Sequence, residues 1–200
     1  MRFQHNSSGI EVMRLTWLLL FVVSAHCLHA EDIVLTPQLD WQLENVEVAP
    51  TQYRGKSCLS VRAKQQTREP GREHLAILAD SEFQNGTIEL ELAGKPLASA
   101  GRMARGFIGV AFRVEKQEPK NYEAFYLRPT NGRSEDQVRR NHSVQYISHP
   151  DHPWFKLRKE FPGKYESYAD LVPGEWTKVR ITVDGTDARL YVGQAEQPCL

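Results

Sequence analysis

Short segments in which apolar and polar residues alternate recur along this chain, and they constrain its fold more than any other feature. The clearest are residues 86–92, 107–114, 122–128, 176–183 and 188–192. In the first of them, Ile88, Leu90 and Leu92 occupy every second position. Successive side chains of a β-strand point to opposite faces, so each segment is predicted to form a strand with one apolar face.

Further strands are predicted where the alternation is less regular, at residues 41–48, 57–63, 74–78 and 143–147. Long helical periodicity is absent after residue 30, and the turn at 184–187 joins the clearest hairpin. Residues 31–200 fit one domain, which we expect to be all-β, an antiparallel two-sheet sandwich. Its shared core is predicted to contain Ile88, Leu90, Ile108, Val110, Phe112, Val179, Ile181 and Leu190.

Residues 1–30 are predicted to lie outside that domain, as an N-terminal extension and a secretory signal. Arg14 precedes an apolar run at residues 15–23, and small or moderate residues follow as far as Ala30. The run is too short for a transmembrane span, which takes about 20 residues. We therefore expect a secreted or periplasmic protein that begins near Glu31.

The cysteines leave two alternatives open. Cys27 could carry a lipid anchor, although His26 is a poor residue immediately before an acylated cysteine, so a lipoprotein stands as the alternative to soluble export. Cys58 and Cys199 remain after the signal, in a compartment that permits disulfides. They either form a bridge or stay as two buried thiols that pack as small apolar side chains.

Charge and ligand spacing exclude some classes of function. The 25 basic and 25 acidic side chains balance, with a pI near 7.1, so the chain lacks the basic bias that binding a phosphate backbone needs. Nucleic acid is therefore not an expected partner. The one cluster of histidines, His142, His149 and His152, does not have the spacing of a structural metal site.

One strand carries the clearest indication of a ligand. Alternation places Tyr122, Tyr126 and Arg128 on one face of residues 122–128 and Phe125 on the other. Phenol rings can stack on sugars, and a guanidinium pairs with hydroxyls or carboxylates. The alternative is that both tyrosines only cover the outside of a sheet. If the face is open, replacing Arg128 with Ala should weaken binding and leave folding nearly unchanged.

Two loops add to this picture. Residues 130–141 are polar and charged, and residues 149–173 contain five aromatic side chains in a segment of poor periodicity. A long aromatic insertion in a compact β domain indicates either a functional loop or a cover for a sheet face.

Five segments resemble a known superfamily in their order and pattern. They are FQNGTIELEL (83–92), GFIGVAFR (106–113), YEAFYLR (122–128), PGEWTKVRITV (173–183) and ARLYV (188–192). The chain is similar over residues 75–192 to the concanavalin A-like lectin/glucanase superfamily, and within it to secreted bacterial domains grouped with laminin-G-like modules and 3-keto-disaccharide hydrolase domains. The resemblance implies a jelly roll of two curved antiparallel sheets, with ligands on the concave face or at its rim.

The alternation of the strands agrees with this, because the face opposite the core residues would collect these polar side chains: Glu89, Glu91, Arg113, Tyr122, Tyr126, Arg128, Lys178 and Arg180. Gly109 and Ala111 would leave space there for a ligand. Such folds often hold Ca²⁺ in their loops, but the scattered aspartates of this chain assemble no site, and no metal or other cofactor is assigned. The chain stops at Leu200 just after a strand, so either it is truncated or its sheet has an open edge where such sandwiches add a final strand.

Catalysis is only weakly indicated. Glu89 and Glu91 point to the same face and could act as the pair of carboxyl groups that glycoside hydrolysis needs. Retaining glucanases of the superfamily carry a Glu-x-Asp-x-x-Glu strand motif, however, and the third acid is missing here. The chain has neither a Gly-x-Ser-x-Gly signature nor a glycine-rich phosphate loop.

A binding module needs only a concave polar face, aromatic platforms and a few well-placed donors. We therefore predict a secreted domain that binds a carbohydrate or glycan. A glycoside hydrolase or lyase is the first alternative, and a laminin-G-like protein-interaction module is the second. The candidate ligand contacts are Arg113, Tyr122, Tyr126, Arg128, Asn131, Arg133, Arg139, Arg140, Asn141 and His142.

Overall fold

The computed structural model describes residues 31–64, 73–118 and 120–200. The predicted signal and Cys27 lie outside the described residues. The chain divides into two compact units, Met1–Val34 and Leu35–Leu200. The described part of the first unit, residues 31–34, is exposed and forms neither strand nor helix.

Strands dominate the second unit, as the alternation predicts. They are β1 (Trp41–Glu44), β2 (Val46–Tyr53), β3 (Lys56–Ala63), β4 (Leu75–Leu78), β5 (Gly86–Leu92), β6 (Ile108–Phe112), β7 (Tyr122–Leu127), β8 (Val144–His149), β9 (Glu166–Ser167), β10 (Thr177–Asp184) and β11 (Asp187–Val192). A short 3₁₀ helix (Pro129–Asn131) and two α-helices, α1 (Gln137–Arg140) and α2 (Trp154–Glu160), lie between β7 and β9. The all-β class is confirmed.

Within the described residues, the strands pair antiparallel in four sheets. One sheet has the order β11-β10-β5 and another the order β6-β7-β8-β9, while β1 pairs with β4 and β2 with β3. Residues 41–48, predicted as one strand, divide into β1 and β2 because Asn45 adopts a φ of 55° and its amide donates to the carbonyl of Glu73. The predicted hairpin is confirmed as β10 and β11.

The main core lies where the three-stranded and four-stranded sheets contribute apolar side chains to one cluster. Ile181 of β10 pairs with Ile88 of β5, while Phe125 and Leu127 come from β7. All eight residues predicted to share a core belong to it, the buried ones being Phe112, Val179, Ile181 and Leu190. The period-2 pattern therefore identified the buried face of each of these strands correctly.

A second, smaller core covers the opposite face of β7. Tyr122 and Ala124 pack there with Ile147 of β8 and Leu157 of α2. The aromatic insertion at residues 149–173 thus includes a helix that covers part of the sheet face, as one of its two predicted roles requires. Because β7 is apolar on both faces near its start, only its later residues are left to line an open surface.

The prediction that the polar side chains opposite the core residues share a single ligand face is wrong. Glu89 and Arg180 pair across β5 and β10 on the face that turns away from the core, with Nε to Oε1 at 4.0 Å. Tyr126 lies on the face of the other sheet that also turns away from the core. Tyr126 therefore lies on a different sheet from Glu89 and Arg180, and it lines a cleft that Glu89 and Arg180 do not line.

The last two residues run beside β11. The Leu190 N–H donates to the Leu200 carbonyl at 2.8 Å, and the Cys199 N–H donates to the Leu190 carbonyl at 2.8 Å. Part of the edge predicted to be open is therefore occupied by the chain's own backbone. Cys58 and Cys199 are free thiols, so the predicted alternative of a bridge between them is not realised. None of the described helices is long and apolar enough to cross a membrane.

Candidate functional site

A cleft of about 600 Å³ opens beside the end of β7. We call it the Tyr126 cleft, and its lining residues are Met103, Arg105, Phe107, Tyr126, Arg128, Asn131, Asp136, Val138, Arg139, His142, Trp154 and Arg158. Three stretches of chain build it: the segment before β6, the turn and α1 that follow β7, and α2. The uncovered end of the sheet face therefore becomes a walled groove.

The floor of the cleft is formed by Tyr126 and Arg128. Arg128 is buried, and its Nη2 donates to the Tyr126 hydroxyl at 2.9 Å and to Gln145 Oε1 at 3.1 Å. Its Nη1 donates to the His142 carbonyl at 3.0 Å. Burial raises the pKa of Tyr126 above its usual value although the nearby Arg128 opposes this effect, so the phenol stays protonated at neutral pH. The floor is thus a fixed polar platform.

A buried carboxylate anchors the cations around this floor. Glu166, at 2% side-chain exposure, receives two hydrogen bonds from Arg158, at 2.7 and 2.6 Å. His142 Nδ1 lies 2.6 Å from Glu166 Oε2, and Arg128 Nη1 lies 3.8 Å from the same oxygen. Burial favours the neutral acid, but the hydrogen bonds from Arg158 and the close approach of His142 outweigh it and hold the pKa of Glu166 below its usual value.

The turn after β7 forms a second wall. The Asn131 amide donates to the His142 carbonyl at 3.0 Å, and its oxygen accepts from Arg139 Nε at 3.0 Å. Arg139 also donates to the carbonyl and hydroxyl of Thr130. Asp136 caps α1 by accepting from the Arg139 N–H at 3.1 Å. These contacts hold the Arg139 guanidinium at the cleft through uncharged acceptors.

Arg105 differs from the other cations of the cleft. Its Nη1 is buried and has no hydrogen-bond partner among the described residues. Burial and the charge of Arg139 lower the pKa of Arg105. A donor withdrawn from water without an acceptor is unfavourable, so this atom is placed where a bound anion or oxygen would stabilise it.

Apolar and aromatic side chains form the rim. Phe107 is 62% exposed and Trp154 is 44% exposed, and both line the cleft with Met103 and Val138. Phe107 meets Tyr126 edge to face, with ring centroids 5.6 Å apart. The Arg158 guanidinium carbon lies 4.8 Å from the centre of the Trp154 ring. The rim therefore presents ring faces to solvent beside charged donors.

Five of the ten predicted ligand contacts line this cleft: Tyr126, Arg128, Asn131, Arg139 and His142. Others from the same turn point elsewhere. Arg133 pairs with Asp170 in a bidentate contact at 2.6 and 2.9 Å. Arg140 donates to backbone carbonyls of residues 134 and 135, and Asn141 accepts from Gln137. These three side chains connect parts of the loop and do not line the cleft.

Arg113 leaves the predicted face because the strand ends before it. β6 stops at Phe112, and Arg113 has a φ of 52°, which breaks the alternation. Its guanidinium donates to Glu123 at 2.9 Å and to the Gly185 carbonyl at 2.6 Å, and it also contacts residues 84 and 85. Arg113 thus links turns of the two main sheets and is far from free to bind a ligand.

Tyr122 and Gly109 also differ from expectation. Tyr122 is buried beneath the α2 segment, where its hydroxyl donates to Glu73 and its ring stacks on His149 with centroids 5.1 Å apart. A Cβ added to Gly109 would lie 2.6 Å from the Cα of Tyr126. The glycine therefore permits close approach of β6 and β7, and the predicted space for a ligand at this position is absent.

Sequence reasoning missed Arg105, Phe107, Trp154 and Arg158 as cleft residues. The last two lie one helical turn apart on α2, a spacing that places them on the same face. That i, i+4 relation within the aromatic insertion was the available signal. Nothing in the alternation of strands indicated that residues 103–107 would approach the end of β7.

The weak catalytic candidates lie away from this cleft. Glu89 pairs with Arg180, and Glu91 forms an ion pair with Lys56 on the outer face of the other main sheet. Within residues 31–64, 73–118 and 120–200, no group of three or more His, Cys, Asp or Glu side chains is placed to hold a metal ion.

Comparisons with family models, with curated protein sequences and with solved structures return no match to this chain.

Proposed function

We propose that this protein is a secreted carbohydrate-binding domain that holds its glycan in the Tyr126 cleft. The observation that carries the proposal is the combination of exposed aromatic rings with fixed guanidinium and amide donors around one open groove. We extend the proposal to a jelly-roll sandwich of the concanavalin A-like kind, supported by two antiparallel sheets that share one core.

The chemistry of a sugar fits both parts of the cleft. The C–H faces of a pyranose are apolar and stack on ring faces such as those of Phe107 and Trp154. Its hydroxyls pair with donors and acceptors held at fixed positions, as Asn131 and Arg139 are. A cleft of about 600 Å³ has the size of ordinary ligand sites and can take a few sugar residues.

The placement of the carboxylates favours binding over hydrolysis. Glu166 is the carboxylate nearest the floor, and it is buried and engaged by Arg158 and His142, so it is poorly suited to give a proton to a glycosidic oxygen. Asp136 is engaged as a helix cap. Glycoside hydrolysis commonly needs two carboxyl groups facing each other across the bond.

The test is a soluble glycan array followed by calorimetric titration of any oligosaccharide that binds. Trp154→Ala and Phe107→Ala should each weaken binding about tenfold through loss of stacking. Phe161→Ala is the matched control, because Phe161 is an exposed aromatic residue at the C-terminal end of the same helix that does not line the cleft.

Each other outcome points to a different class of function. Release of new reducing ends from a bound glycan would establish a hydrolase. Unsaturated products would establish a lyase. Absence of binding to every glycan would contradict the proposal and favour the laminin-G-like interaction module. Equal weakening by Phe161→Ala would place the ligand outside the Tyr126 cleft.

A further inference from the structure

The charges around the Tyr126 cleft are unbalanced. Four guanidiniums line it, those of Arg105, Arg128, Arg139 and Arg158. Two carboxylates oppose them, Asp136 at the wall and Glu166 beneath the floor. Four positive charges against two negative charges leave an excess of two, in a chain whose total formal charge is zero. The excess is therefore a local feature of this groove.

The four guanidiniums differ in their partners: Arg128 and Arg158 pair with the carboxylate of Glu166, and Arg105 and Arg139 do not. Arg158 makes a bidentate pair with Glu166, and Arg128 lies 3.8 Å from it. The hydrogen bonds of Arg139 go to uncharged oxygens of Asn131 and Thr130. Arg105 Nη1 has no acceptor in the described part of the chain. Among the described residues, Arg105 and Arg139 are therefore the two guanidiniums of the cleft that have no carboxylate partner.

We propose that the glycan bound in this cleft carries a negatively charged substituent, a carboxylate or a sulfate ester, that pairs with Arg105 beside Arg139. The proposal rests on the carbohydrate function proposed above and names the class of sugar. A planar guanidinium matches a carboxylate or sulfate with two parallel hydrogen bonds. Both residues contact Thr130, because the Arg105 carbonyl accepts from the Thr130 N–H and Arg139 donates to the Thr130 carbonyl, and both line the cleft, so one anion there can relieve the repulsion of the two cations.

The experiment compares acidic sugars with neutral sugars of the same backbone. The probes are tetrasaccharides of galacturonate, glucuronate, mannuronate and guluronate, each with its carboxyl-reduced form, and a sulfated galactan tetrasaccharide, which carries no carboxylate, with its desulfated form. A tetraglutamate peptide is the anion without a sugar ring. We expect at least one acidic tetrasaccharide to bind about tenfold or more tightly than its neutral counterpart, because the neutral form cannot make the charge-assisted pair with the guanidinium. The carboxylate and sulfate arms separate the two sources of charge.

Arg105→Gln is the decisive variant. This substitution should lower the affinity for the acidic probe about tenfold and leave the affinity for its neutral counterpart unchanged. Its thermal midpoint should equal or exceed that of the wild type, because an unpaired and partly buried charge is removed. Arg102→Gln removes the same charge three residues earlier from an exposed position outside the cleft, and it should leave both affinities unchanged.

The contradicting outcomes are separable. Equal affinity for acidic and neutral forms would overturn the charged substituent and leave the carbohydrate function standing. Equal losses in Arg105→Gln and Arg102→Gln would overturn the role of Arg105. Binding of tetraglutamate without any tetrasaccharide would overturn the carbohydrate function as well. Failure of every probe to bind would reject both proposals.

Discussion

Arg128 is held by four groups, each of which would lose a partner if its guanidinium were removed. Three are hydrogen-bond acceptors, on Tyr126, His142 and Gln145, and the fourth is the carboxylate of Glu166. Because the side chain is buried, Arg128→Ala should lower the free energy of unfolding by about 2–4 kcal/mol. Urea denaturation measures this value.

Arg133→Ala is the control for Arg128→Ala. Arg133 also makes a bidentate contact, but its side chain is 66% exposed and that of Asp170 is 55% exposed. Water screens such pairs, so the loss should stay below about 1 kcal/mol. A similar loss for both variants would mean that the network beneath the cleft does not support the fold. The sequence predicted that removing Arg128 would affect binding and hardly affect folding, whereas its burial now predicts a loss of stability. Alternation shows which face a side chain occupies but not how deeply it is buried.

Glu166 makes stability depend on pH in a defined direction. Its pKa is lowered in the folded protein, so its contribution is present above the usual glutamate value and is lost as pH falls through the lowered one. Between about pH 7 and pH 3, the free energy of unfolding of the wild type should fall toward that of Glu166→Gln, since at the lower pH both proteins are neutral at this position. A constant difference between the two proteins across this range would contradict the assigned ion pairs.

At the scale of elements, the strands were predictable and the short helices were not. Residues 86–92 match β5 in full, because alternation over seven residues with a clear turn before them leaves one solution. Helix α2 has only seven residues, which is just under two turns, and its apolar positions are partly exposed. The helix that walls the cleft therefore gives no more periodic signal than the i, i+4 spacing of Trp154 and Arg158, although its aromatic composition marked the segment as unusual.

Helix α2 should depend on one side chain for its attachment to the sheet. Leu157 is 3% exposed and packs with Tyr122, Ala124 and Ile147. Leu157→Ala should lower the free energy of unfolding by about 2–4 kcal/mol through the cavity it leaves. It should also speed amide hydrogen exchange in α2, because the helix has few other buried contacts.

Phe155→Ala on the same helix is the control, since Phe155 is exposed. Its effect on unfolding should be within about 0.5 kcal/mol. Faster exchange in α2 for both variants alike would show that the helix is attached by another contact.

At the scale of the whole molecule, alternation identified which side chains enter the shared core, but it did not show which of the remaining polar faces lie close to one another. Alternation assigns each side chain to one of the two faces of its strand, but it does not say which other part of the chain lies against either face. Glu89 and Tyr126 both alternate with core residues, yet they lie on different sheets and only Tyr126 lines the cleft. The cleft depends further on contacts between residues far apart in sequence, such as His142 with Glu166 and Phe107 with Tyr126. Local patterns carry no information about such contacts.

A shared core makes a prediction about cooperativity. Phe112 of β6 is 3% exposed and stacks with Phe125, in the same cluster as Ile181 and Leu190 from the other main sheet. Phe112→Ala should lower the free energy of unfolding by about 3–5 kcal/mol and keep a single transition, because both sheets lose packing together. Phe107→Ala removes the same ring from the exposed rim and should change stability by less than about 1 kcal/mol. Chemical denaturation followed by both fluorescence and circular dichroism tests this, and separate transitions in the two signals would mean that the sheets do not share one cooperative core.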